Sequence, residues 1–155
     1  MGFDGTAFDK ILSALPLTAY RTGETVLSEG LKTGQLFILK SGEVAVLKNS
    51  AVLARVDQPG AVFGELAALL DQPHGADVQA LQDSEFHVAD AALLEKDLIA
   101  VLHVARILAR RLVAANDGLV ELKNKIETGP SPGDVRKVLA NMEEILMTGG
   151  ASHEV

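Results

Sequence analysis

The stretch from residue 62 to residue 80, VFGELAALLDQPHGADVQA, constrains the fold of this chain more than any other. Gly64 lets the backbone come close to a ligand, and the residues after it predict a short helical turn whose first amides lack partners within the helix. Amides of this kind bind anions. Glu65 stands among apolar and small residues, where its carboxylate can accept hydrogen bonds from ribose hydroxyls. A polar loop follows, and the alternation of apolar residues at Ala76–Ala80 predicts a strand, so the stretch indicates a cradle for a phosphate and a ribose.

Short apolar runs separated by glycines fill the segment before this cradle, between residues 17 and 62. Strands spaced 8 to 12 residues apart, with turn residues between them, are typical of an antiparallel barrel or jelly roll. A metal-dependent cupin shares that pattern, but its metal needs a cluster of histidine and glutamate on neighbouring strands, and no histidine precedes His74. The four runs are Val26–Leu27, Leu36–Leu39, Val44–Leu47 and Val52–Val56. A further strand at Phe86–Val88 and a short helix at Ala89–Leu94 follow the cradle.

The cradle resembles the phosphate-binding cassette of the cyclic nucleotide-binding domain family. In that family an F-G-E-L-A turn precedes a short loop and a strand that reads A-x-V-x-A, and Phe63–Ala67, Pro73 and Ala76–Ala80 match these parts. The resemblance extends over about residues 8 to 126, because Gly23-Glu24, Gly30 and Ser41–Val44 match turn signatures of the same family. It implies an α+β fold, a β-roll or jelly-roll barrel with flanking helices and a long C-terminal dimerisation helix.

The resemblance also implies which residues contact a ligand, and the cassette departs from the family at two of these positions. His74 stands where the family carries the arginine that pairs with the cyclic phosphate, and Gly75 stands where a serine, threonine or alanine is usual. Histidine is shorter than arginine and mostly neutral above a pKa of ~6.5. Asp71 and Asp77 lie nearby and disfavour an anion, although Asp77 can point away. We therefore expect cAMP or a related cyclic nucleotide to bind weakly or not at all at neutral pH. The implied ligand-binding residues are Phe63, Gly64, Glu65, Leu66, Ala67, His74, Gly75, Ala76 and Asn116.

A second organising feature is a long helix predicted from Leu98 to Ile126. Nine apolar or small residues recur at alternating spacings of three and four, which is the seam of a coiled coil and predicts a parallel homodimer. The segment Ala109–Leu112, A-R-R-L, resembles the dimerisation helix of bacterial catabolite activator proteins, which place a Thr-Ser pair against adenine at the positions held here by Ala115 and Asn116. The Asn116 amide can serve a purine edge, or it can be a polar residue that sets the coiled-coil register. The seam residues are Leu98, Val101, Ala105, Leu108, Leu112, Ala115, Leu119, Leu122 and Ile126.

Both ends of the chain carry amphipathic patterns. Apolar residues between Phe8 and Leu15 predict a short helix that ends at Pro16. Residues 127–133, ETGPSPG, predict a linker, and the apolar face over Asp134–Met147 predicts a last helix that docks on the dimer or on a partner. The chain thus divides into residues 1–126, a cyclic nucleotide-binding-like barrel with the long helix, and residues 127–155, a linker, a short helix and a tail.

The composition of the chain argues against several classes of function. The net charge of -7 and the 22 residues after Gly133 oppose nucleic-acid binding, because phosphate contacts need Lys and Arg clusters and a winged helix-turn-helix needs about 70 residues. The absence of cysteine excludes thiolate metal sites and iron-sulfur clusters. The sequence also shows no pairing of a nucleophile with a base that would indicate an enzyme. His103 can be a haem ligand or a packing residue. Without a signal sequence or a run of 18 apolar residues, we expect a cytoplasmic protein that does not enter the membrane.

Two functions fit these observations. The first is a stand-alone, homodimeric regulatory module that senses a cyclic nucleotide such as cAMP weakly, or another small ligand, and signals through a separate protein. The second is a dimerising interaction module whose pocket is vestigial and whose activity does not depend on a ligand. Neither function requires a metal.

Overall fold

The computed structural model describes residues 5–127, 133 and 136–141. Eight strands form two antiparallel sheets: β1 (Leu17–Tyr20), β2 (Thr25–Leu27), β3 (Gln35–Ser41), β4 (Val44–Lys48), β5 (Ala51–Val56), β6 (Val62–Phe63), β7 (Asp77–Ala80) and β8 (Ser84–Asp90). The strand orders are β1-β8-β3-β6 and β2-β7-β4-β5. The flanking helices are α1 (Gly5–Ala14), α2 (Glu65–Leu70), α3 (Ala92–Lys96) and α4 (Leu98–Glu127). The expected β-roll with flanking helices and a long helix is confirmed.

An aromatic cluster fills the space between the two sheets. Phe86 of β8 is fully buried, and the rings of Tyr20, Phe37 and Phe63 meet it edge to face with centroids 5.8, 5.9 and 6.1 Å away. Edge-to-face contacts add to the free energy gained from burying the rings. Because Phe63 is the last residue of β6, this core also fixes where the cassette begins.

The β4–β5 hairpin contains a tight turn and a β-bulge. Its turn residues Asn49 and Ser50 both have positive φ, 52° and 66°, as a two-residue turn with the twist of the flanking strands requires. Further along β5 the register skips Leu53, since Val52 and Ala54 pair with successive residues of β4. An extra residue of this kind is a β-bulge, which redirects a side chain, and Leu53 faces the cavity described below.

Helix α4 begins at a cap and packs one face against the first sheet. The carboxylate of Asp97 accepts a hydrogen bond from the backbone amide of Ala100 at 3.1 Å, which caps the start of α4, and the backbone amide of Asp97 donates to the carbonyl of Leu93 at the end of α3. His103 stacks on Phe8 of α1 with ring centroids 3.6 Å apart, so packing accounts for this histidine. The buried face of α4 forms one cluster with sheet residues: Leu36, Ile38, Val62, Ala89, Ala100, Val104 and Ile107.

Two expectations need correction. The helix predicted from Ala89 is wrong, because β8 continues to Asp90 with Ala89 buried and α3 starts only at Ala92. The expected linker is shorter than predicted at both ends, since Glu127 still belongs to α4 and Gly133 is helical. The described part of the predicted last helix, residues 136–141, is helical, and Val138 is buried. Residues 1–4, 128–132, 134–135 and 142–155 lie outside the described residues, so the division into two parts stays a prediction.

Candidate functional site

The cassette turns at Gly64, between β6 and α2. Gly64 has φ of 84°, and a Cβ at this position would lie 2.7 Å from the carbonyl oxygen of Gln35 and 3.3 Å from the His74 ring. Only glycine therefore fits the turn. The carbonyl of Gly64 accepts the amide of Ala68 at 3.0 Å, which closes the first turn of α2 and leaves the preceding amides without partners earlier in the helix.

A cavity of about 240 Å³ opens beside the cassette, between the second sheet, β6 and α4. The eight predicted ligand-binding residues of the cassette all line it. Asn116 is exposed on α4 and is not among the lining residues of the single chain, so its contact with a ligand stays a prediction. The full lining is Leu27, Val46, Lys48, Leu53, Val62, Phe63, Gly64, Glu65, Leu66, Ala67, His74, Gly75, Ala76, Val78 and Arg111.

An ion pair joins the cassette to α4 inside this cavity. Arg111 donates through Nη1 to the carboxylate of Glu65, and through Nη2 to the carbonyl oxygen of Val62 at 3.3 Å. The two residues are 7% and 4% exposed, so both charges are removed from water and compensate each other. Glu65, expected to accept ribose hydroxyls, thus already has a cationic partner.

Arg111 is a cavity residue that was not predicted from the sequence, although the sequence carries a signal for it. The residues of α4 that pack on the barrel are spaced by four, three and four positions, at 100, 104, 107 and 111. Arg111 therefore continues the buried apolar face of the helix, where an unpaired cation is strongly disfavoured. A buried acidic partner was predictable from that position alone.

His74 is held at the opposite end of the cassette. Its Nε2 lies 2.7 Å from the hydroxyl oxygen of Thr33, and its backbone bonds to Gly30 and Leu31, with both N–O distances 2.9 Å. The residue is 4% exposed, and this burial lowers its pKa by more than the nearby Glu65 raises it. The ring is therefore neutral near pH 7, and the position held by arginine in the family contributes no positive charge to the cavity.

The two acids expected to repel an anion are engaged elsewhere. Asp71 forms an ion pair with Lys32 at 2.9 Å, and both side chains are exposed. Asp77 accepts a hydrogen bond from the backbone amide of Glu29 at 2.6 Å. Neither acid lines the cavity. The repulsion predicted from their sequence positions is therefore weaker than expected.

The predicted coiled-coil seam lies only partly on the free side of α4. Leu98, Leu112, Leu119 and Ile126 are 55% to 70% exposed, whereas Val101 and Leu108 pack in part against the barrel of their own chain. The buried residues of α4 belong to a different set: Ala100, Val104, Ile107, Arg111 and Gly118. The outer half of the seam stays available for a second subunit, and dimerisation itself stays a prediction.

A sequence model of the family described as "Cyclic nucleotide-binding domain" matches residues 17–96, more than half of the chain. The chain belongs to the cyclic nucleotide-binding domain family. Members of this family are regulatory ligand-binding domains, and the matched region contains both sheets and the complete cassette.

Relatives and solved structures agree with this assignment. The chain is 37% identical over 95 residues to the cGMP-dependent protein kinase of Eimeria tenella, and 37% identical over 119 residues to Glutaminase 2 of Bradyrhizobium diazoefficiens. The matches cover 61% and 70% of this chain, but only 9% and 19% of those proteins. The crystal structure of Thermus thermophilus Catabolite Activator Protein matches with a TM-score of 0.62 at 22% identity, over 89% of this chain and 83% of that one, which shows the shared fold.

The described residues contain no group of three or more histidine or acidic side chains placed to hold a metal ion. Among the same residues, no helix is both long enough and apolar enough to cross a bilayer.

Proposed function

We propose that this protein is a regulatory module that binds a cyclic nucleotide such as cAMP, or a related small ligand, weakly in the cavity beside the cassette. Ligand binding changes the position of α4 and thereby the activity of a separate protein. The observation that carries this proposal is the buried pair between Glu65 and Arg111, because it joins the ligand-binding cassette directly to the long helix.

The cassette supports a nucleotide as the ligand. Glu65 presents a carboxylate that can accept ribose hydroxyls, and the amides that follow Gly64 suit a phosphate. The Eimeria tenella relative is named for its dependence on cGMP, so cGMP and cAMP are both candidates. His74 is neutral and hydrogen-bonded to Thr33, so the charge-assisted contact that an arginine makes with the phosphate is missing, and affinity is low.

The Glu65–Arg111 pair offers a route from ligand to helix. Ribose hydroxyls that bond to Glu65 compete with the guanidinium of Arg111 for the same oxygens. A ligand shifts an equilibrium only as far as it binds one state better than the other. Binding at Glu65 favours a state in which Arg111, and with it α4, takes another position. The helix is the output of the module.

The exposed side of α4 supports a homodimer. Leu112, Leu119 and Ile126 form an apolar stripe on a 30-residue helix, and an unpaired stripe of this size is unfavourable in water. A parallel pair of α4 helices buries the stripe, and ligand binding in both cavities then acts on the same coiled coil. The relatives carry this domain as a small share of a kinase or a glutaminase, which supports a protein effector as the partner. We place the module in the cytoplasm and assign it no catalytic role of its own.

A second candidate is a ligand-independent dimerising module. One observation favours it: the Glu65 carboxylate is paired with Arg111 of the same chain, so the protein itself compensates the charge of the cassette. In that case the cavity is a remnant and the exposed stripe of α4 is the functional surface.

A thermal-shift titration separates the two candidates. A ligand present at 100 times its dissociation constant adds ~2.7 kcal/mol to the free energy of unfolding, so cAMP or cGMP at millimolar concentration should raise the melting temperature. The control is Leu53→Trp, which places a large ring in the cavity from a half-buried strand position. A shift in the wild type that is absent in Leu53→Trp supports the sensor. If no cyclic nucleotide changes the melting temperature, the ligand-independent interaction module is the better explanation.

A further inference from the structure

One positively charged residue of the cavity lining has no role in the site as described so far. Arg111 is buried and compensated by Glu65, and His74 is neutral. Lys48 is the remaining cation of the lining among the described residues. No acidic side chain in the described part of the chain lies within ion-pair distance of it.

The position of Lys48 follows from the alternation of β4. Val44 and Val46 of this strand point into the core between the sheets, and Lys48, two residues further, continues the same face. The strand ends there, so the Lys48 side chain is exposed at the mouth of the barrel while it still borders the cavity. The tight turn at Asn49 and Ser50 fixes the end of the strand.

We infer that Lys48 supplies the cationic contact to the anionic group of the ligand, the role that His74 cannot fill. This inference rests on the proposed function, because it assigns a residue to the phosphate in the proposed nucleotide site. Lysine carries a compact ammonium group on a flexible stem, which can follow a phosphate at the mouth of the cavity. The site therefore recognises a cyclic nucleotide from the second sheet as well as from the cassette.

The test compares a charged with an uncharged ligand of the same base and sugar. The affinities of cAMP and adenosine are measured by calorimetry for the wild type and for Lys48→Gln, Lys48→Arg and Lys40→Gln. Lys40→Gln is the matched control, because it removes the same charge from an exposed position that does not line the cavity. Thermal melts verify that all four proteins are folded.

We expect Lys48→Gln to weaken cAMP binding about three- to tenfold and to leave adenosine binding unchanged. Lys48→Arg and Lys40→Gln should bind both ligands as the wild type does. If Lys48→Gln binds cAMP as the wild type does, the anion is held elsewhere and the inference is wrong. An equal loss for both ligands also overturns it, because Lys48 then shapes the cavity rather than meeting a charge. If neither ligand binds to any of the proteins, the proposed function fails, and the assignment of Lys48 fails with it.

Discussion

Removal of either member of the Glu65–Arg111 pair leaves a buried charge without compensation. We expect Arg111→Met and Glu65→Gln each to lower the free energy of unfolding by ~3 to 5 kcal/mol, because each variant leaves the other member of the pair buried without its partner. The double variant should lose much less than the sum of the two single losses. Urea denaturation at pH 7 measures all three.

An ion pair on the surface provides the control for these three variants. Lys32→Ala removes one partner of the exposed Lys32–Asp71 pair and should cost less than about 1 kcal/mol. If the losses at Glu65 and Arg111 are additive and as small as that of Lys32→Ala, the pair does not couple the cassette to α4.

The buried ring of His74 makes stability depend on pH. Burial lowers the pKa of His74 in the folded protein, so below its unfolded pKa of ~6.5 the unfolded chain binds a proton that the folded chain does not. The free energy of unfolding should therefore fall as the pH decreases from about 7, until the pH reaches the folded pKa. Burial lowers the pKa of His87 and His103 as well, and these residues add to the same trend.

Replacement of His74 measures how much this residue contributes to the pH dependence of the free energy of unfolding. His74→Gln keeps a polar group near Thr33 but does not titrate, so the decrease in stability from pH 7 to pH 5 should be smaller than in the wild type. Denaturation at several pH values measures the difference. An unchanged pH dependence in His74→Gln means that the ring is protonated equally in both states.

At the scale of the element, α4 carries two faces with different tasks. The inner face packs on the barrel, and the outer face presents Leu112 and Leu119 to solvent. We expect Leu112→Glu combined with Leu119→Glu to give a monomer, because like charges then meet across the coiled-coil seam. Light scattering at micromolar concentration reads the mass, and the double replacement should leave the barrel folded because neither side chain contacts it closely. A wild type that is already monomeric contradicts the seam prediction.

Elements with a local signature were predictable, and those that depend on docking were not. Gly64 and the residues after it specify the turn and α2 within a few positions, so the cassette was predicted correctly from sequence. Ala89 was assigned to a helix because its strand contacts come from β3, more than 45 residues earlier in the chain. The bulge at Leu53 leaves no mark in the apolar pattern, since it depends on how β4 and β5 align.

At the scale of the whole molecule, the fold was predictable and half of the site was not. The predicted cassette residues lie in two short runs, 63–67 and 74–76, and all of them line the cavity, while their contact with a ligand stays a prediction. Arg111 and Lys48 reach the same cavity from a helix and a strand outside the cassette, and only the packing of the sheets and α4 brings them together. A coiled-coil pattern indicated the length of α4 but did not identify which of its faces meets the barrel.

The charge of the whole chain opposes nucleic-acid binding. With a net charge of -7 and a pI near 5.0, the protein repels a phosphate backbone, and most non-specific affinity for DNA comes from Lys and Arg contacts. We expect no retardation of DNA in an electrophoretic mobility assay at physiological salt. A sequence-specific footprint made by this protein alone would show that the prediction is wrong.

The most direct test of the proposed ligand site is a calorimetric titration of cAMP into the wild type and into His74→Arg at pH 7.5. An arginine at this position adds a permanently charged fork that matches phosphate oxygens, a contact worth ~1.5 to 3 kcal/mol. We expect weak binding by the wild type and binding roughly 10- to 150-fold tighter by His74→Arg. The absence of binding heat in both proteins, with both shown to be folded, would contradict the claim that the cavity is a cyclic nucleotide site.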